Sequence, residues 1–322
     1  MLPPMADPDN DTTSALLKDL VAAVETALVG KRDVVNLATV ALLAGGHVLI
    51  EDVPGVGKTT LARALAAAVD GVLHRVQFTS DLLPSDLIGV LVFNQQQAEF
   101  SFRKGPLFCN ILLADEINRA SPRTQSALME AMSERQISVD GTTLALPQPF
   151  FVLATQNPDD HAGTFPLPES QLDRFMLRIR IGYPPSNVET RLLLQGDMAR
   201  ETRVPKVLHL DTLLKLQAKV SEVRFDDSLA AYLQAILQAT RSHPVLSMGA
   251  STRAGLNLAR AARARAILNG RTYCLVDDIY ELIVPVLAHR IRLAVQSEGY
   301  APSTAETHAV LYDIASRVPV PL

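Results

Sequence analysis

The 322-residue chain has no tryptophan, and aromatic residues make up only 5% of it. That leaves little ring surface for stacking on single-stranded nucleic acid. Its two cysteines, Cys109 and Cys274, stand far apart and form no C-x-x-C spacing. They build neither a disulfide framework nor a zinc site, and the natural expectation is a reducing, cytoplasmic compartment. An excess of one charge is missing too: 30 basic against 34 acidic residues leave a net charge of −4. Such a balance argues against a protein that coats nucleic acid or anionic membrane. No segment reads as a membrane span. The uncharged run Val34–Ile50 has 17 residues but contains Asn36, Gly45, Gly46 and His47, whereas a span needs about 20 predominantly apolar residues. Residues 1–13 have no basic start and no apolar run, so they are no secretory signal and read as a flexible N-terminal tail.

What is present is ordinary globular composition, 48% hydrophobic and 20% charged, at a length that suggests roughly two domains. Ser14 is placed to cap a helix with apolar positions Leu16, Leu17, Leu20, Val21 and Val24, stopping near Gly30. A second apolar helix over about 33–44 ends at Gly45-Gly46. Apolar runs at 47–50, 72–78, 108–114, 150–154 and 176–181 read as buried strands. Helices are expected from Lys58 to about Val69 and from Pro122 to about Glu134, the latter capped by Ser121. Asp140-Gly141 is a hairpin signal. Strands alternating with helices imply an α/β fold, a parallel five-stranded sheet with helices on both faces. Beyond Tyr183-Pro184-Pro185 only helix patterns follow, at about 186–200, 210–219, 226–241, 251–268, 277–291 and 304–317. The expected organisation is therefore a tail at 1–13, an α/β core at 14–185 and an all-helical domain at 186–322.

Two segments carry chemistry. Residues 51–60, EDVPGVGKTT, follow a buried strand and open a helix, the context of a phosphate-binding loop. Backbone N–H groups from Gly55, Val56 and Gly57 through Thr60, in the loop that Pro54 opens, would cradle phosphate oxygens. Lys58 would reach the β- and γ-phosphates, and the Thr59 hydroxyl would bind Mg²⁺. One departure stands out: Asp52 occupies the place of the motif's first glycine, where a carboxylate repels phosphate unless it points away. Residues 111–119, ILLADEINR, end a strand in two acids. Asp115 suits Mg²⁺ held partly through water, and Glu116 suits orienting or deprotonating the attacking water. A polar residue at the tip of the strand in FFVLATQNP (150–158), Asn157, would lie beside the γ-phosphate.

The runs LADEINRASPRTQSALMEAM (113–132) and DVPGVGKTTLA (52–62) resemble the MoxR family of AAA+ ATPases, and the likeness extends from about residue 14 to the end. The resemblance implies a P-loop AAA+ core followed by a helical lid, with ATP and Mg²⁺ as cofactors. It makes Asn157 the sensor 1 residue. In FPLPESQLDRFM (165–176) it makes Arg174 an arginine finger that reaches a neighbour's γ-phosphate. In MGASTRAG (248–255) it makes Arg253 the sensor 2 arginine, contacting nucleotide on its own subunit, although the family more often has proline where Thr252 stands. Val29 and Gly30 match the adenine pocket. Residues 81–106 resemble the helix-2 insert, and the Asp140-Gly141 hairpin the pre-sensor-1 hairpin. Arg260, Arg263, Arg265 and Arg271 read as solvated or packing arginines. The implied assembly is a homo-oligomeric ring, a hexamer, that remodels, matures or inserts cofactor into a client protein with a von Willebrand factor A domain partner in trans. The alternatives are a nucleic-acid motor, against which the charge and the aromatic content argue, and a nucleotide-dependent scaffold with little turnover, against which Glu116 argues.

Overall fold

The computed structural model describes residues 8–95, 98–157, 163–195, 203–294 and 303–321. The chain runs through α1 (Pro8–Ala27), α2 (Arg32–Leu43), β1 (Val48–Glu51), α3 (Lys58–Ala68), β2 (Leu73–Gln77), α4 (Pro84–Ile88), β3 (Gly89–Asn94) and β4 (Glu99–Lys104). It continues with β5 (Ile111–Asp115), α5 (Pro122–Glu134), β6 (Gln136–Val139), β7 (Thr142–Ala145), β8 (Phe151–Gln156), α6 (Glu169–Leu172) and β9 (Leu177–Ile179). The C-terminal part holds α7 (Ser186–Gln195), α8 (Leu210–Glu222), α9 (Asp227–Ser242), β10 (Leu246–Met248), α10 (Thr252–Leu268), α11 (Val276–Tyr280), α12 (Ile283–Leu287), β11 (Arg292–Leu293) and α13 (Thr304–Arg317).

Five strands form one parallel sheet in the order β2-β5-β8-β1-β9. All four residues of β1 are buried, as parallel strands covered on both faces require. Side chains alternate across the sheet. Val48, Ile50, Leu113 and Leu153 join a core with α1, α2 and α3, whereas Leu49, Leu112, Val152 and Ala154 join a second core with Leu128, Met129 and Phe175. The first core runs on without a break into Leu216, Leu258, Ala262 and Leu268 of α8 and α10. The Gln217 amide also donates to the Leu42 carbonyl (2.7 Å). The helical part is thus packed against α2.

Three expectations need correction. The first helix starts at Pro8 rather than Ser14, so residues 8–13 are helix and not tail; proline is favoured in a first turn, where its missing N–H costs nothing. The single helix expected over 277–291 is two short ones, α11 and α12. Pro285 cannot continue the hydrogen-bond ladder, so the helix restarts just ahead of it. The lid is helical but not wholly so, since β10 and β11 pair antiparallel. Residues 196–200 of the helix expected over 186–200 lie outside the described residues. Segment 81–106 forms α4 and the β3–β4 hairpin. The β6–β7 hairpin turns at Asp140 (φ 46°) and Gly141 (φ 81°), the left-handed pair that a two-residue turn needs.

Candidate functional site

The loop between β1 and α3 opens onto a cleft of about 1540 Å³ lined by Pro54–Thr60 together with Asp115, Glu116 and Asn157. Gly57 caps α3 at φ 103°, and a Cβ there would come within 2.9 Å of Leu28 Cδ1. Backbone and packing both require glycine at that position. The Lys58 ammonium donates to the backbone carbonyl of Asp52. Burial pulls its pKa down, and the negative charges of Asp52, Asp115 and Glu116 oppose that pull.

Asp52 does not line the cleft, although its charge is felt at Lys58. Its carboxylate turns the other way, Oδ2 accepting from the N–H groups of Ile181 (2.7 Å) and Gly182 (2.6 Å) and Oδ1 from that of Val53 (2.9 Å). The residue in the place of the first glycine therefore ties the loop to the segment between β9 and α7.

Asp115 ends β5, and Glu116 follows it in the left-handed region (φ 56°, ψ 51°). For a residue other than glycine that conformation stores strain, which clusters at functional sites. The fully buried Thr155 fixes both acids. Its hydroxyl donates to Asp115 Oδ1 (2.6 Å) and accepts from the Glu116 N–H (2.9 Å). From β2, Arg75 donates to Asp115 Oδ2 (2.8 Å) and the Gln77 amide to Glu116 Oε2 (2.9 Å), and Arg119 pairs with the same oxygen at 2.8 Å. Sequence reasoning missed Thr155, Arg75, Gln77 and Arg119. The signal for the pair on β2 is its register beside β5, with Gln77 opposite Asp115, which cannot be read before strand order is known.

Asn157, just beyond β8, lines the same cleft, as does Val29. Gly30 packs beside Pro185 and Val188 at the cleft's margin: a Cβ on it would lie 3.2 Å from Pro185 Cγ. The Thr59 hydroxyl and the Asp115 carboxylate are hard oxygen donors on one cleft wall. That set suits Mg²⁺, which keeps most of its shell as water and phosphate and needs only one or two protein ligands. Among the described residues no group of three His, Cys, Asp or Glu is arranged to hold a metal.

The two predicted arginines do not line this cleft. Both line a second, smaller one of about 160 Å³ with Gly45, His47, Arg135 and Arg260. The large cleft lies beyond the carboxyl ends of β1, β5 and β8. The small one lies at the amino ends of β1 and β9, at the opposite end of the strands. Arg174 donates to the Met129 carbonyl (3.0 Å) and to the Ser133 hydroxyl. Arg253, in the first turn of α10, has its Nε 3.6 Å from Asp173 Oδ2. The structure therefore does not bring Arg253 to the cleft that holds Lys58 and Thr59. The buried Arg290 explains why: it donates to Asp173 Oδ1 (2.6 Å) and to the carbonyls of Asp173 (2.9 Å), Phe175 (2.6 Å) and Met176 (3.1 Å). This draws the lid, with the start of α10, onto the segment that carries Arg174. Arg265 and Arg271, by contrast, are packing arginines around the buried Asp278.

Residues 47–177 match the ATPase family associated with various cellular activities (AAA), and residues 238–310 match the AAA lid domain. The chain is 40% identical to the protein named Chaperone MoxR1 of Mycobacterium tuberculosis over 286 residues, 86% of this chain and 76% of that one. The chain belongs to the MoxR family of AAA+ ATPases. Other likenesses agree. The protein named MoxR of Methylorubrum extorquens is 30% identical over 84% of this chain and 85% of its own. The Bacillus subtilis protein YeaC, described as uncharacterized, is 47% identical over 95% of each chain. A crystal structure of an ATPase candidate from Cytophaga hutchinsonii superposes with a TM-score of 0.88 at 37% identity over 97% of each chain. Among the described residues no helix is long and apolar enough to cross a membrane.

Proposed function

We propose that this chain hydrolyses ATP at the subunit junctions of a homo-oligomeric ring, a hexamer, and uses the cycle to remodel a client protein. The observation that carries the reading is the convergence of Lys58, Thr59, Asp115, Glu116 and Asn157 on one cleft while Arg174 faces another. A cleft so divided is completed by a second copy. Lys58 balances charge on the β- and γ-phosphates. Glu116 takes a proton from the attacking water as the water oxygen bonds to the γ-phosphorus and ADP leaves with the bridging oxygen. Asn157 orients that water. Thr59 and Asp115 would hold Mg²⁺, which would neutralise phosphate charge when bound. Arg174 approaches from the adjacent copy and stabilises charge on the transferring phosphoryl oxygens. Arg253, placed beside Arg174, serves the same neighbouring nucleotide.

The remodelling role is supported by the name of the Mycobacterium relative, a chaperone. Partnership in trans with a von Willebrand factor A domain protein, and maturation or cofactor insertion as the form of remodelling, are what the family resemblance supports. A reading as a nucleic-acid motor is disfavoured by the net charge of −4 and the absence of tryptophan.

Separate losses test the assignment. Lys58→Ala is expected to abolish nucleotide binding, whereas Glu116→Gln keeps binding and lowers turnover by about 10²-fold or more, the usual cost of losing a general base. Calorimetric binding and phosphate release measured on both variants check this. Equal loss of binding in the two would sink the division of roles.

A further inference from the structure

The small cleft at the amino ends of β1 and β9 holds four guanidinium groups, and the proposed function accounts for only Arg174 and Arg253. Arg135 and Arg260 complete its wall. A side chain on Gly45 would find Arg260 Nη2 3.0 Å away and Arg135 Nη2 3.2 Å away. Two cationic nitrogens thus converge on a single point above a residue that has no Cβ. The Arg135 guanidinium donates to the Gly45 carbonyl (3.2 Å). The carboxylate that reaches this group of arginines, Asp173, is shared between Arg253 and the buried Arg290. Burial and the neighbouring Arg135 lower the pKa of Arg260. Like charges gathered at a half-closed surface repel one another, and the arrangement becomes favourable when an anion enters it.

Arg135 adds a second, independent observation. It is the C-cap of α5 at φ 54°, ψ 25°, in the left-handed region where glycine is the default. The backbone bears that strain and in return delivers a guanidinium to the cleft beside Arg174.

We infer that Arg135 and Arg260 act with Arg174 and Arg253 as a four-arginine receptor for the terminal phosphates of a nucleotide bound to the adjacent copy of the chain. This rests on the reading that Arg174 serves a neighbour's site. Planar guanidinium forks suit phosphate oxygens, and several forks can address the three oxygens of one terminal phosphoryl group. Two of the four come from the sheet-and-helix core and two from α10, so phosphate entering the cleft would bridge core and lid of the receiving copy.

The experiment uses the full-length chain. Arg135→Gly removes the side chain and the backbone strain together, and Arg260→Ala places the best helix former in α10. Both variants are expected to keep or raise the thermal midpoint, to bind ATP as the parent does, and to lose about tenfold or more in turnover. Fingers reach 10³-fold and above, and each of these would carry a smaller share. Each variant is then mixed with Lys58→Ala. Activity should return, because interfaces with Lys58 from one chain and Arg135 or Arg260 from the other are complete. A free phosphate bound in the cleft would give no such rescue. Arg174→Ala mixed with Lys58→Ala is the control. If Arg174 is rescued while Arg135 and Arg260 are not, or if their loss leaves turnover unchanged, the four-arginine receptor is refuted and the finger stands. If Arg174 is not rescued either, the junction site itself falls. Should Arg135→Gly fail to fold, Arg135→Gln carries the same comparison.

Discussion

A single buried imidazole shows how far neighbours dictate chemistry. His47 Nδ1 accepts from the Val152 N–H (3.1 Å), so the proton is on Nε2, which donates to the Met132 carbonyl (3.1 Å). Protonating Nδ1 would break the first bond. Burial, reinforced by Arg135 and Arg260, pulls the pKa from 6.5 to about 4. The unfolded chain therefore binds a proton below pH 6.5 that the folded chain refuses down to about pH 4. His47 contributes fully above pH 6.5, and that contribution is lost as pH falls toward 4, roughly 3 kcal/mol in all. Denaturant unfolding at pH 7 and pH 5 should show the loss, and His47→Gln should flatten the slope between them. Arg253 gives the opposite lesson. Its place in MGASTRAG marked it as functional by family resemblance, but its neighbour Asp173 lies far away in sequence and could not be read from it.

At the scale of elements, the tie between the phosphate loop and the β9–α7 junction depends on one carboxylate. Asp52→Gly restores the usual motif residue but leaves the N–H groups of Ile181 and Gly182 without their acceptor. A loss of about 2–3 kcal/mol is expected, since hydrogen bonds to charged groups carry most weight; chemical denaturation measures it. Asp52→Asn keeps one amide oxygen and should lose less. The local devices were legible in sequence. The strand–loop–helix of residues 47–69 and the strand ending at Asp115 are set by contiguous residues, and so are the Asp140-Gly141 turn and the Ser251 cap, which accepts from the Ala254 N–H at 3.0 Å. What sequence hid depends on elements meeting across the fold. Thr155 and Gln77 reach the acids only because β2, β5 and β8 are adjacent. The start of α10 reaches Arg174 only because Arg290, just after α12, grips residues 173–176. Pro285 signalled the break between α11 and α12, but the apolar period across it did not.

For the whole molecule, the two clefts at opposite ends of one sheet's strands predict that assembly and turnover rise together. A non-hydrolysable ATP analogue should shift light scattering toward the ring, and specific activity should fall on dilution as copies separate. Full-rate hydrolysis by an isolated chain at any dilution would refute this.

The opposed clefts also have a counting consequence. On the proposed function, each copy would offer one surface that receives nucleotide and a different surface that completes a neighbour's, so contacts between copies would run head to tail. An open arc then always contains one unfinished nucleotide cleft at one end and one idle set of arginines at the other. Only closure uses both. A closed circle of copies has as many complete sites as chains, and losing a single chain removes two of them, its own and the one it served. Activity per chain would therefore report whether the circle is shut.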